Sequence, residues 1–162
     1  MASFDVCYNF MMDAEDAPRA YKIVPDAPPG AHAVSGINSA AFPAEFDAIS
    51  KLMISERGSA IEQFYRSRFW NRSFDGMNSD ELAKRVFDAA VNMGSGTAAK
   101  ILQRVLGVTP DGVIGPATVV AANSGDHVAA FISARKQHYI SIASANPAKK
   151  QYLKQWLARA SR

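Results

Sequence analysis

Cysteine and long apolar runs are both scarce in this sequence of 162 residues. Cys7 is the only cysteine, so an internal disulfide is excluded, and its place in an apolar helical pattern predicts a buried thiol. That usage fits synthesis in a reducing cytoplasm. No stretch is long and apolar enough to span a bilayer. Residues 1–16 carry acids where a signal peptide has a basic start and a continuous apolar run. We therefore expect synthesis in the cytoplasm without a signal peptide, and no stable membrane insertion.

Several kinds of chemistry have no counterpart in the sequence. The three histidines, His32, His127 and His138, lie far apart and lack the spacing of zinc ligands. A nucleophile elbow, a phosphate loop and a dinucleotide fingerprint are also missing. The net charge of +3 is too small to indicate nucleic acid by itself. We expect no metal, no cofactor and no nucleic-acid partner.

Apolar periodicity predicts a mainly helical fold. Phe4, Cys7, Tyr8 and Met11 recur at helical spacing, and this first helix should end between residues 13 and 16. Residues 18–43 contain five prolines and many small residues, which predicts an irregular segment with a short β-hairpin.

From residue 43 to the C-terminus the pattern is helical again. Asn78 followed by Glu81 predicts a capped helix start, Gly94 a helix end, and Pro116 the first turn of a further helix. The last two helices should cover about residues 126–144 and 148–162.

The stretch "EDAPRAYKIVPD", residues 15–26, places acids where the first helix ends. A carboxylate at a helix C-terminus faces the negative end of the macrodipole, which disfavours its ionised form, as a general acid requires. Asp26 could return toward Glu15 through "YKIV" and supply a second carboxylate, and glycoside hydrolysis commonly uses two. The alternative is a solvated helix terminus without a chemical role.

The downstream half resembles a known family. "FDAAVNMGSGTAAKILQRVLGV", residues 87–108, with "DGVIGPATVVAAN", residues 111–123, is similar to the second half of the glycoside hydrolase family 108 muramidases, lysozyme-like enzymes of phages and bacteria. "FYRSRFW", residues 64–70, resembles their aromatic segment. The resemblance implies a single lysozyme-like domain over residues 1–162. Its catalytic half would be residues 1–86 and its peptidoglycan-binding half residues 87–162.

The same resemblance implies a site and an activity. Glu15 matches the catalytic glutamate in position, and Gly36 with Ile37 matches a closing pair. The implied reaction is hydrolysis of the β-1,4 bond between N-acetylmuramic acid and N-acetylglucosamine, as in a phage endolysin. Glu15 would be the general acid, and Asp26 our substitute for the second catalytic group. Peptidoglycan is then the partner, the protein a monomer, and the cell wall its place of action after export, lysis or virion delivery.

Four further residues are candidates for substrate binding. Tyr65 and Trp70 could stack on sugar rings, and Asn38 and Asn92 could hydrogen-bond N-acetyl groups. Core packing for Tyr65, and capping or loop bracing for the two asparagines, are the alternatives.

Two other functions stay open at the sequence level. Residues 16–20 replace two glycines of the family's pattern, which suits a protein that binds peptidoglycan without cutting it. Ser35 or Ser39 could hold a water in place of the family's threonine. The basic last helix includes Lys149, Lys150 and Arg159. It suits a docked helix with a solvated face, attraction to the anionic cell wall or to phospholipid of the outer membrane, or a nucleic-acid-binding protein.

Overall fold

The fold is mainly α-helical, as the sequence predicts, and the computed structural model describes all residues from 1 to 162. Eight helices are present: α1 (Phe4–Glu15), α2 (Pro43–Ser50), α3 (Ile54–Phe69), α4 (Asp80–Met93), α5 (Ser95–Val105), α6 (Pro116–Ala122), α7 (Val128–Ala145) and α8 (Lys150–Ala160). Short 3-10 turns cover Arg72–Gly76 and Pro147–Lys149. None of the helices has the length and apolar character needed to cross a bilayer. The mainly helical composition agrees with the lysozyme-like fold that the resemblance implies.

The irregular segment forms a small antiparallel sheet of three strands instead of one hairpin. The strands β1 (Ile23–Asp26), β2 (Ala31–Val34) and β3 (Ile37–Asn38) lie in sequence order. In the β1–β2 pair, Ile23 lies opposite Val34 and Asp26 opposite Ala31. In the β2–β3 pair, Val34 lies opposite Ile37. Glu15, the last residue of α1, and the β2–β3 turn both lie within residues 8–70, which form one compact unit.

The chain groups into two compact units, which we call the sheet unit and the helical unit. The sheet unit comprises residues 8–70, and the helical unit comprises residues 1–7 and 71–162. The core of the sheet unit includes Met11, Ile37 and Ile61, each fully buried. In the helical unit, the Phe87 ring packs edge-on against the rings of Phe4 and Phe74.

The start of α4 differs by one residue from the prediction. Ser79, not Asn78, caps the helix, because the Ser79 hydroxyl accepts a hydrogen bond from the Leu82 N–H at 3.2 Å. Glu81 does not complete a capping box. Its carboxylate pairs with Lys84 and Arg85 one turn later on the same helix. The predicted helix end at Gly94 and the helix start at Pro116 are confirmed.

Candidate active site

The Glu15 carboxylate lies directly against the backbone of Gly36. A Cβ atom added to Gly36 would meet Glu15 Oε2 at 2.6 Å and Glu15 Cδ at 2.9 Å. Gly36 also has a φ of +81°, a conformation that L side chains rarely adopt. Glycine is therefore required twice at this position, once for the turn and once for the space that Glu15 fills.

The Tyr65 hydroxyl, which belongs to α3, also lies next to Gly36. It would lie 2.8 Å from the same Cβ atom, and it donates a hydrogen bond to the Ser35 carbonyl at 2.7 Å. The Tyr65 side chain is 1% exposed, so its ring faces are covered by protein and its hydroxyl is the part that reaches the Glu15 region. The Tyr65 ring is therefore packed in the core of the sheet unit.

Asp16, the residue after Glu15, organises the loop that follows. Its carboxylate accepts hydrogen bonds from the Ala20 N–H at 3.0 Å, the Tyr21 N–H at 2.9 Å and the Ser35 hydroxyl at 2.7 Å. Burial by itself would raise the pKa of Asp16. The three donors, together with the nearby Arg19 charge, outweigh burial and lower the pKa below its ordinary value. Asp16 is thus an ionised structural clamp, and its oxygens are committed to the loop.

The clamped loop holds side chains in unusual backbone conformations. Arg19, Tyr21 and Ser35 all have positive φ, at 52°, 51° and 46°. Each such residue costs about 1–2 kcal/mol, so the surrounding contacts must compensate. The Asp16 carboxylate supplies part of that compensation. Arg57, which is 9% exposed, supplies more by donating to the Tyr21 carbonyl at 2.9 Å.

Asp26 and Asn38 form a second pair at the other end of the sheet. The Asn38 Nδ2 donates to Asp26 Oδ2 at 2.7 Å and to the Ala27 carbonyl at 2.8 Å. Asp26 is exposed and is the last residue of β1, which begins at Ile23. Because a strand rises about 3.3 Å per residue, Asp26 lies about 10 Å along β1 from Ile23. Asp26 is thus hydrogen-bonded to Asn38, whereas the Glu15 carboxylate and the Tyr65 hydroxyl both lie next to Gly36.

The other candidates near the loop have defined partners. The Ser35 hydroxyl is bound to Asp16, and the Ser39 hydroxyl accepts from the His32 N–H at 3.0 Å. Trp70 follows the last residue of α3 and is half-buried. Arg19 forms an ion pair with Asp13 at 2.8 Å and donates to the backbone carbonyl of Asp16, not to its carboxylate.

Asn92, in the helical unit, ends a chain of buried polar groups. The Asp88 carboxylate, which is fully buried, is paired with Arg135 at 2.8 Å and with Arg159 at 2.8 Å. Arg135 in turn donates from Nε and Nη2 to the Tyr139 hydroxyl at 3.3 and 3.2 Å. The Tyr139 hydroxyl donates to Asn92 Oδ1.

The order of these bonds sets the direction in which the Asn92 amide points. A guanidinium can only donate, so the Tyr139 oxygen must accept from Arg135. Its single proton is then free only for Asn92, whose oxygen accepts it. The amide nitrogen is therefore the part of Asn92 that can still donate a hydrogen bond.

Two family models divide the chain between them. The model of glycosyl hydrolase 108 matches residues 24–94, and the model described as a predicted peptidoglycan domain matches residues 97–161. Residues 24–94 of the chain belong to the glycosyl hydrolase 108 family. In this glycosyl hydrolase the predicted peptidoglycan domain is C-terminal, and the two matches together indicate a hydrolase that acts on peptidoglycan. The first match contains Asp26, Asn38, Tyr65, Trp70 and Asn92, and begins after Glu15.

Comparison of the fold with solved structures gives a consistent result. The structure of SagA from Brucella abortus superposes with a TM-score of 0.70 at 23% identity, covering 98% of this chain and 90% of that chain. At this identity the similarity concerns the fold. No curated protein sequence matches the hydrolase.

Several residues with well-defined partners in the two units were missed by sequence reasoning. In the sequence Asp16 is one acid in an acidic run, yet its carboxylate accepts the three hydrogen bonds that hold the loop. The triad of Asp88, Arg135 and Arg159 joins three helices, and no periodic signal marks it. The one available signal was Asp88 itself, a charge on the otherwise apolar face of α4.

Proposed function

We propose that the protein is an N-acetylmuramidase that cleaves the β-1,4 bond between N-acetylmuramic acid and N-acetylglucosamine, with Glu15 as general acid. The observation that supports this most strongly is the position of the Glu15 carboxylate against Gly36. A glycine at positive φ and a buried tyrosine hydroxyl are both arranged around this one side chain. A solvated helix terminus would need neither.

In the proposed reaction, Glu15 donates its proton to the glycosidic oxygen as the bond to the leaving sugar breaks. The remaining sugar ring develops positive charge and resembles an oxocarbenium ion in the transition state. Asp16 holds the loop beside Glu15, but its own oxygens already accept three hydrogen bonds. It therefore positions the site and does not take part in proton transfer.

Asp26 is our proposal for the second carboxylate, acting on water. Two of its acceptor sites are used, by Asn38 and by the Ala27 N–H at 2.8 Å, which leaves others for a water molecule. Asn38 stands two residues beyond Gly36, about 7 Å along β3, and Asp26 lies beyond Asn38. We propose an inverting reaction, in which a water lies between the two carboxylates and Asp26 accepts its proton as it attacks the sugar ring. The expected product is the α-anomer, observable by proton NMR immediately after cleavage.

The binding residues take roles that follow from their contacts. The Asn92 amide nitrogen would donate to an N-acetyl carbonyl, and Trp70 would stack on a sugar face. Asn38 would position Asp26. Tyr65 would contribute its hydroxyl at Glu15, not its ring. We further propose that the protein acts as a monomer on the cell wall, reached from the cytoplasm through export, lysis or a phage particle.

The decisive experiment compares the wild type with Glu15→Gln on purified peptidoglycan. The wild type should release new reducing ends that mass spectrometry identifies as N-acetylmuramic acid, and the folded Glu15→Gln variant should release none. Glu62→Gln makes the same chemical change on α3 and should behave as the wild type. Full activity in folded Glu15→Gln, or products ending in N-acetylglucosamine, would refute the proposal. Binding without cleavage by the wild type would support the non-catalytic alternative.

A further inference from the structure

The outer face of the last helix carries an aromatic side chain that the fold leaves uncovered. Tyr152 is 44% exposed and is the one aromatic among the strongly exposed large hydrophobic residues. Its ring lies 5.8 Å from that of Trp156, which stacks on the ring of Tyr139 at 5.2 Å. Tyr152 is thus the outermost of three neighbouring rings in the helical unit, and its packing against Trp156 holds it in position.

Two glutamine amides and a lysine lie beside this ring. An open groove of about 490 Å³ is lined by Gln151, Tyr152, Lys154, Gln155 and Ala158. Amides can both donate to and accept from sugar hydroxyl and N-acetyl groups. An exposed aromatic face suits the C–H face of a pyranose ring. Ala158 adds almost no volume, which leaves that part of the groove open.

The charge of the segment favours an anionic ligand. Lys149, Lys150 and Lys154 are exposed, and α8 contains no acid. Arg159 is not part of this surface, because it turns inward to Asp88. The last helix is therefore docked through Arg159 and Trp156, whereas its two lysines and the adjacent Lys149 face solvent. Peptidoglycan combines sugar rings, N-acetyl groups and carboxylates, which are the groups that this face could bind together.

We propose that the outer face of α8, formed by Gln151, Tyr152, Lys154, Gln155 and Ala158, is a second glycan-binding surface, distinct from the Glu15 region. The identity of the ligand as peptidoglycan rests on the proposed function. The surface would hold the enzyme on the polymer between cleavage events, with Tyr152 stacking on a sugar ring and the lysines attracting carboxylates.

The test measures binding to purified peptidoglycan by co-sedimentation in a Glu15→Gln background, so that the polymer is not consumed. Adding Tyr152→Ala should weaken binding at least about threefold, the loss expected for one aromatic contact. Tyr152→Phe keeps the ring and should bind like the parent protein. Ala158→Glu, which places bulk and negative charge in the groove, should also weaken binding. Val120→Ala removes a 72% exposed apolar side chain on α6 and is the matched control.

The outcomes separate this proposal from the proposed function. Because Tyr152 and Ala158 are on the surface, the melting temperatures of all variants should match within about 2 °C. Equal binding by Tyr152→Ala and its parent would overturn the surface, as would an equal loss in Tyr152→Phe and Tyr152→Ala. If the wild type fails to cleave while binding still depends on Tyr152, the muramidase proposal fails and this one stands.

Discussion

Replacing Gly36 with alanine should test how the β2–β3 turn positions Glu15. The new Cβ would lie 2.6 Å from Glu15 Oε2, whereas carbon and oxygen atoms in contact need roughly 3.4 Å, so the carboxylate must move by about 1 Å. A displacement of that size in a catalytic group costs on the order of 100-fold in rate. The positive φ adds about 1–2 kcal/mol of destabilisation.

Gly30 provides the matched control. Its φ is +90°, close to that of Gly36, but a Cβ atom there meets nothing within 4 Å. Gly30→Ala therefore has the same backbone strain without displacing a side chain. Urea unfolding should show similar losses of about 1–2 kcal/mol for both variants, with up to about 2 kcal/mol more for Gly36→Ala from crowding.

The assay is release of reducing ends from peptidoglycan under conditions in which each variant is fully folded. Gly36→Ala should lose about 100-fold in activity, and Gly30→Ala should lose less than about threefold. Equal activity in the two variants would show that the contact between Gly36 and Glu15 has no bearing on the reaction. Equal large losses would show that the sheet, not the carboxylate, is the sensitive element.

Three further predictions concern the polar contacts. Asp16→Asn should lower the free energy of unfolding by about 1–2 kcal/mol at pH 7, because an amide cannot accept the three hydrogen bonds. Since the folded pKa lies below the ordinary 3.8, this stabilisation is present above that pH and lost as pH falls through the folded value, so urea curves of wild type and variant should converge in acid. Asp88→Ala should lower the free energy of unfolding by about 3–5 kcal/mol, because it leaves buried arginines unpaired. The control, Asp47→Ala, removes an exposed ion pair and should change the free energy of unfolding by less than about 1 kcal/mol. Tyr139→Phe should weaken binding of N-acetylated peptidoglycan, and adding it to Asn92→Ala should cause no further loss of binding; additive losses in this double-mutant cycle would contradict the assigned direction of the amide.

Local pattern accounts for much of the fold, because helix faces, glycine stops and proline starts are properties of neighbouring residues. The first helix was predicted to end between residues 13 and 16, and it ends at Glu15. The cap of α4 moved from Asn78 to Ser79 because either side chain could serve, and the choice depends on which oxygen reaches the Leu82 N–H. The short strand β3 was not predicted, since two residues are too few for a periodicity to show.

The amino-acid sequence by itself determined the mainly helical class, the family and the candidate role of Glu15, because these depend on the order and type of residues. Tertiary structure decided what each side chain is free to do. It covered the Tyr65 ring but left its hydroxyl beside Glu15, committed Asp16 to the loop, and oriented the Asn92 amide through Tyr139. These outcomes depend on contacts between residues up to 47 positions apart along the chain. The physical reason is that a hydrogen bond has a direction and a limited number of partners, and those partners meet only when the chain is folded.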